Sequence, residues 1–292
     1  MRFIQVCLIF LFLIIHCVCG EETQSPGLLA EAGFFFKELG QNFGLQAKAP
    51  FSMTERQVAY TGAGVLVDGG LMFADIPIAK RVKKQLNDND WLGHGSEYVS
   101  RLGGTAGILS IGAVGAFGWI SNRPKEMETA YLMAQAAITS GVWCQIGKIA
   151  TGRSRPLAAW SGSEYEDVWH GPLKRFEKGH GSIANYDAFP SGHTTTAFSL
   201  ATVIASQYGE ESFPVRAAAY SVAGLVGLAR LGTQDHWISD VFAGACLGYL
   251  CGKQVVAHHR HLKQDLSGHA ESSGFYLLPY PKGAMAGYVW NL

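Results

Sequence analysis

The 292-residue chain has little charge and no excess of either sign: Lys and Arg total 23, Asp and Glu total 23, and charged residues make up only 16%. Without a basic excess, a nucleic-acid partner is not expected. At 48% hydrophobic residues, the chain is too apolar to stay disordered. Its 36 glycines follow no three-residue period, which excludes collagen. Cysteine is scarce and badly spaced for metal. Cys7, Cys17 and Cys19 fall in the first twenty residues, and Cys144, Cys246 and Cys251 each lie in apolar stretches with no CxxC or Cys/His spacing. These last three read as buried thiols acting as small hydrophobes. No carboxylate cluster suits Mg²⁺ or Zn²⁺, so no cofactor is expected. Internal repeats, low-complexity runs and, before residue 270, alternating β-branched patterns are also missing.

What is present is helical. Met1-Arg2, an apolar run from Phe3 to Ile15 and a small-residue exit at Gly20 read as a secretory signal over residues 1–20, with an uncleaved anchor as the alternative. Residues 21–54 are mixed and Gly/Pro-punctuated, which suggests a loosely packed N-terminal arm. Helices are expected over 55–85, 102–121, 127–151, 192–208, 214–230 and 235–260, separated by short Gly/Pro/Asn turns. The fold class is therefore an all-α bundle of about six core helices, within a domain spanning 55–262. In the tail at 263–292, Phe275–Leu278 and Ala284–Leu292 flank a Pro/Gly segment and suggest a small β-hairpin. Leu102–Asn122 and Thr129–Gly147 carry no charge and are long enough to cross a bilayer. Gly244 and Gly248 form a small-xxx-small pair suited to close helix packing. The uncharged parts of the other helices are short, so the chain reads as an exported, periplasmic or extracytoplasmic, largely soluble bundle that associates with membranes. Integral membrane insertion is the alternative.

Three clusters carry chemistry. In Lys148-Ile149-Ala150-Thr151-Gly152-Arg153-Ser154-Arg155-Pro156, Gly152 is a natural helix end and Pro156 holds Arg155 extended. Lys148 and Arg155 then approach one point from different directions. In Pro190-Ser191-Gly192-His193, Ser191 is placed as an N-cap and Gly192 allows close approach to the backbone. The free N–H groups of the following helix make an anion site with His193 at its mouth. In the third cluster, Arg230 precedes His236 and Asp240. With Thr233 as cap, His236 and Asp240 fall four apart on one helix face, where the carboxylate can fix the imidazole tautomer and leave its other nitrogen nucleophilic.

The order Lys-x6-Arg-Pro, Pro-Ser-Gly-His, Arg-x5-His-x3-Asp resembles the type 2 phosphatidic acid phosphatase and vanadium haloperoxidase superfamily, which includes bacterial non-specific acid phosphatases. The resemblance spans residues 148–240. It implies that His236 attacks phosphorus, that Asp240 orients it, and that His193 protonates the leaving oxygen and then activates water. It further implies that Lys148, Arg155, Arg230, Ser191 and the Gly192 amide hold the phosphate oxygens, with no metal required. The third motif usually opens Ser-Arg, and Ala229 stands in the Ser position here. That loses one hydroxyl near the phosphate and puts the order of Arg230 in question.

The function this implies is a metal-independent phosphatase acting through a phosphohistidine, on a phosphorylated lipid or a small phosphate ester. Inorganic phosphate and vanadate would be site ligands, and a membrane surface would be a partner. The apolar helices tip the choice towards a lipid phosphate. Alternatives are a broad-specificity soluble acid phosphatase, a vanadium-dependent haloperoxidase, and a non-catalytic phosphate- or headgroup-binding module. The aromatic-rich loop 157–189 is expected to cover the site. His258-His259-Arg260-His261 reads as a basic helix end.

Overall fold

The computed structural model describes residues 28–165, 168–172, 174–176, 183–210, 212–270, 275–280 and 283–288; the expected leader at 1–20 lies outside them. The expected all-α class holds. In chain order the helices are α1 (Leu28–Lys48), α2 (Glu55–Asp88), α3 (Asp90–Arg101), α4 (Thr105–Ile120), α5 (Pro124–Thr151), the single turn α6 (Pro156–Ala159), α7 (Gly192–Tyr208), α8 (Phe213–Gly232) and α9 (Ile238–Ala270). Beyond them, Phe275–Tyr280 pairs antiparallel with Gly283–Tyr288 as the hairpin the tail suggested.

Local chemistry sets the ends of these helices. Thr54 caps α2 in a reciprocal box with Gln57. Pro124 and Pro156 open α5 and α6, where a missing N–H costs nothing. Gly152 stops α5 at φ +51°, and its N–H donates to the Lys148 carbonyl; the left-handed turn suits a residue without a side chain. Two helices depart from expectation. Helix α3 is absent from the periodicity because Asp90-Trp91-Leu92-Gly93-His94-Gly95 is polar and glycine-rich. Helix α9 begins at Ile238 rather than 235. Thr233 ends α8 instead of capping α9, and Gln234 turns the chain at φ +54°.

The core is alanine-rich. Ala130, Leu132, Met133 and Ala136 of α5 meet Leu200 and Val203 of α7, Val255 and Val256 of α9, and Ile111 of α4. The closest approach is between α9 and α7, where the expected pair of small residues is one of three. A Cβ on Gly244 would come within 2.6 Å of the Ser191 carbonyl oxygen, and one on Gly248 would overlap that of Thr195. A Cβ on Gly252 would lie 2.9 Å from Thr202 Cβ. Three successive turns of α9 thus present bare backbone to α7, which fixes the start of α7 against the start of α9.

The stretch read as a loose arm contains α1, which docks through polar groups. Glu38 and Asn42 are buried. Tyr131 donates to Glu38 at 2.7 Å, Asn42 to Gln135 at 3.3 Å and Gln254 to Asn42 at 3.0 Å. The histidine-rich segment lies inside α9, which runs on to Ala270, and is not a helix end. His259 faces Glu38, Arg260 pairs with Glu210 and His261 with Asp265.

The surface differs from that of a soluble bundle. Leu66 is 78% and Phe73 88% exposed on α2, and Leu109, Phe117, Ile120, Leu225 and Leu228 continue the apolar skin. So extended an apolar surface calls for a partner phase. Helix α2 and the α3–α4 segment are each long and apolar enough to cross a membrane, and the apolar stretch of α2 is almost entirely unburied. Charge-free runs underestimate this face because Asp75, which interrupts the α2 sequence, points inward and is buried.

Gly248→Val should lower the unfolding midpoint in detergent by the equivalent of about 1–3 kcal/mol, since its side chain must displace α7 backbone. Gly224→Ala, where the added methyl meets open space, should leave the midpoint unchanged or raise it. Thermal unfolding followed by circular dichroism checks both.

Candidate active site

The ends of α5, α7, α8 and α9 converge. Lys148, in the last turn of α5, is buried; its ammonium donates to the Asp187 carbonyl and lies 3.7 Å from the Asp187 carboxylate. Arg155 is extended before Pro156 as expected. It donates through Nε to Asp187 at 2.9 Å and through a terminal nitrogen to Asp235 at 2.6 Å. Arg230, at the end of α8, reaches the other oxygen of Asp235 at 2.7 Å and donates to Ser100 of α3. The three cations are therefore joined by two carboxylates, Asp187 and Asp235, that motif reasoning passed over. Asp235 is adjacent to His236 and was the one visible hint. Ser100 and Asp235 also fix Arg230 despite Ala229, which answers the question that residue raised.

His236 is buried in the turn before α9, not on its helical face. Its Nδ1 donates to the Ala188 carbonyl at 2.7 Å, while the Asp240 carboxylate is 3.6 Å away. A carbonyl only accepts, so the proton sits on Nδ1 and the Nε2 lone pair is free. The hydrogen-bonded partner of His236 is thus Ala188, from the loop at 157–189. Asp240 instead accepts from the Trp237 backbone N–H at 2.7 Å and from Arg153, which closes the turn that carries His236.

His193 lies in the first turn of α7, with its ring against the turn before α4: a Cβ on Gly104 would lie 2.7 Å from His193 Nε2. The same four charges, Lys148, Arg155, Arg230 and Asp235, act on both imidazoles, which places the two rings in one electrostatic environment. Ser191 heads α7, but its hydroxyl accepts from Thr194 at 2.9 Å rather than capping a backbone N–H, and its own N–H donates to the Asp240 carbonyl at 2.9 Å. Gly192 is adjacent; a Cβ there would meet Lys148 Cε at 3.8 Å, an ordinary contact.

Burial, followed by Arg230, holds His193 down to about 4. Burial, followed by Lys148, Arg230 and Arg155, holds His236 well below the usual histidine value. Burial also lowers the Lys148 ammonium, which Asp187 partly restores. Burial raises Asp235, but Arg230, a Thr233 hydrogen bond and Arg155 outweigh it and keep the carboxylate below its ordinary range. Both imidazoles are therefore neutral near pH 7, one with a free nucleophilic nitrogen. They lie beside three cations whose net charge, against two carboxylates, is +1. Arg230 Nε is buried without a hydrogen-bond partner among the described residues, a donor left for an incoming oxygen. Such an arrangement can bind a tetrahedral dianion and support nucleophilic and acid–base chemistry on it.

In the loop at 157–189, Trp160 stacks on Tyr165, and Tyr165 on the buried Trp237. Its described residues supply Asp187 and Ala188 to the site. Among the described residues, no group of His, Cys, Asp and Glu side chains is arranged to hold a metal ion.

Residues 129–263 match the family model described as the PAP2 superfamily. A lipid A 1-phosphatase of Porphyromonas gingivalis is 44% identical over 73 residues, 25% of this chain and 16% of that protein. Lipid phosphate phosphatase 1 of Arabidopsis thaliana is 33% identical over 155 residues, 43% of this chain and 44% of that protein. The chain thus spans less than half the length of either curated relative. Two solved structures are similar. Aquifex aeolicus LpxE has a TM-score of 0.42 and 22% identity, covering 58% of this chain and 87% of the other. A transmembrane PAP2-type phosphatidylglycerolphosphate phosphatase from Bacillus subtilis has a TM-score of 0.49 and 19% identity, covering 71% and 97%.

An anion entering the cation ring raises the proton affinity of every titratable group around it, both imidazoles and both carboxylates alike. Sulfate binding at pH 6 should therefore take up protons, and sulfate affinity should fall as pH rises. Calorimetry in buffers of different ionisation enthalpy checks the sign; proton release would contradict it.

Proposed function

We propose that this chain, whose residues 129–263 match the PAP2 superfamily model, is a membrane-embedded phosphatase acting on a lipid phosphate ester. The observation that carries this reading is the gathering of Lys148, Arg155 and Arg230 around two neutral imidazoles at one end of a bundle whose flank is exposed and apolar. The cations would hold the phosphate and the apolar flank would keep the site beside the bilayer. We take α2 and the α3–α4 segment as the spanning elements. The leader expected at residues 1–20 supports export of the chain.

In the proposed mechanism, His236 Nε2 attacks phosphorus in line with the ester oxygen. The N–P bond forms as the P–O bond breaks, and the leaving alkoxide takes a proton from His193. Water then attacks the phosphohistidine and gives its proton to His193. The N–P bond breaks, and inorganic phosphate and neutral His236 remain. His193, held down to about 4 in the empty site, can serve as the acid only because the bound dianion raises its proton affinity. Lys148, Arg155 and Arg230 spread over the equatorial oxygens, where preorganised donors in a poorly solvated site stabilise developing charge. That is the work a divalent cation does in many phosphatases, so a metal is not needed for the step. Ser191 and Gly192, at the head of α7, complete the phosphate-facing surface.

Purified full-length protein in detergent or liposomes should hydrolyse phosphatidic acid in the presence of chelator. His236→Ala should reduce turnover by about 10³-fold or more, as loss of a nucleophile does elsewhere. Comparing phosphatidic acid, lipid A, isoprenyl pyrophosphate and small sugar or nucleotide phosphates distinguishes a lipid phosphatase from a broad acid phosphatase. Full activity in His236→Ala, or activity restored only by added metal, would defeat the reading.

A further inference from the structure

Beyond the cation ring lies a second buried ionic assembly. The Arg153 guanidinium is 1% exposed and is clasped between two carboxylates from different helices, Asp75 of α2 at 2.5 Å and Asp240 of α9. Ser239 completes it: its Oγ lies 2.7 Å from Arg153 and 2.7 Å from Asp75, and its N–H donates to Asp75 at 3.0 Å. The guanidinium is stacked against Trp169 at 4.3 Å and Trp237 at 5.5 Å. Among the described residues this assembly shares no ion pair with Lys148, Arg155 or Arg230. The terminal nitrogens of Arg153 are satisfied while its Nε has no hydrogen-bond partner among the described residues. Burying one cation and two carboxylates is costly, so these bonds must hold a defined geometry or the assembly destabilises the fold.

That geometry converges on His236 from two sides. Through its side chain, Arg153 fixes one oxygen of Asp240, whose other oxygen accepts the Trp237 N–H and lies 3.6 Å from His236 Nδ1. Through its backbone carbonyl, Arg153 accepts the Ala188 N–H at 3.0 Å, and the Ala188 carbonyl accepts the His236 proton. One residue thus ties down both neighbours of the proposed nucleophile, and Asp75 anchors that residue to the most lipid-exposed helix.

We infer that Asp75 and Arg153 are positioning residues: a buried relay running from α2 through Arg153 to Asp240 and Ala188 holds the His236 imidazole in its attacking orientation. The inference rests on the phosphatase reading for its kinetic test but not for its structural one. The charged groups facing the relay are Asp68, two turns before Asp75 on α2, and Lys148 of α5. Those facing His236 are Lys148, Arg155, Arg230 and Asp235.

The test compares Asp75→Asn and the milder Ser239→Ala with the unaltered protein in detergent, after confirming that each keeps its helicity and unfolding midpoint. Misorienting the nucleophile should lower kcat for p-nitrophenyl phosphate by about 10- to 100-fold in Asp75→Asn, and less in Ser239→Ala. KM and the inhibition constant of inorganic phosphate, set by the separate cation ring, should stay within about threefold, because uniform binding is untouched. Removing the Asp75 charge leaves Arg153 less neutralised. The imidazolium becomes harder to form, and the acid limb of kcat/KM should move to lower pH. Should Asp75→Asn not fold, Ser239→Ala carries the kcat prediction alone, with KM and phosphate inhibition unchanged. Unchanged kcat in a folded variant, or parallel losses in kcat and phosphate affinity without movement of the pH limb, would overturn the relay. If the unaltered protein hydrolyses no phosphate ester, the phosphatase reading fails. The relay is then judged by ¹⁵N-histidine NMR, in which Asp75→Asn must lower the His236 titration midpoint, and an unmoved midpoint overturns it.

Discussion

Like charges buried together must be neutralised, and this requirement organises the business end of the molecule. Lys148, Arg155 and Arg230 approach one another where water is scarce, and at an effective dielectric near 20 two unit charges 4 Å apart interact by about 4 kcal/mol. Asp187 and Asp235 offset that repulsion in the empty site. The ring is thereby preorganised without a ligand, yet it keeps one uncompensated positive charge and at least one idle donor, Arg230 Nε. Under the proposed function, a phosphate would take up that idle donor and exchange partners with the two carboxylates rather than assemble a new site.

A few unusual packing solutions make this concentration of charge possible. Glycines 244, 248 and 252 let α9 lie against bare α7 backbone, so Ser191 bonds to Asp240 through main-chain atoms and the His193 and His236 segments cannot drift apart. Gly152 ends α5 where Lys148 must stop and Arg153 must turn inward. Gly104 leaves the space that His193 fills. These residues have no chemistry of their own; they set the separations at which chemistry becomes available.

The three motifs were legible because each combines a helix-ending signal with a residue of fixed chemistry. The positions of Lys148, Arg155, His193, Arg230 and His236 around common partners follow from that local grammar. What escaped was supplied by tertiary contact. Asp187 and Ala188 lie in an irregular loop with no periodicity to mark them, and Asp75 is, with Asp68, one of two acids inside the apolar stretch of α2. Its pairing with Arg153 bridges 78 residues. His236 and Asp240 stay 3.6 Å apart but not on one helical face, because α8 runs to Gly232 and Gln234 turns the chain, leaving His236 outside any helix. The outward apolar face of α2 was also understated, since inward-facing acids shorten a charge-free run without making the surface polar.

Under the proposed mechanism the protein is transiently phosphorylated on one nitrogen of one histidine. The most direct measurement is rapid acid-free quenching of the enzyme with phosphatidic acid, followed by peptide mass spectrometry under conditions that preserve phosphohistidine. The expected result is an acid-labile phosphate on His236, formed and discharged at the rate of turnover. Turnover with no phosphoenzyme at His236, or with phosphate carried on another side chain, would contradict the account.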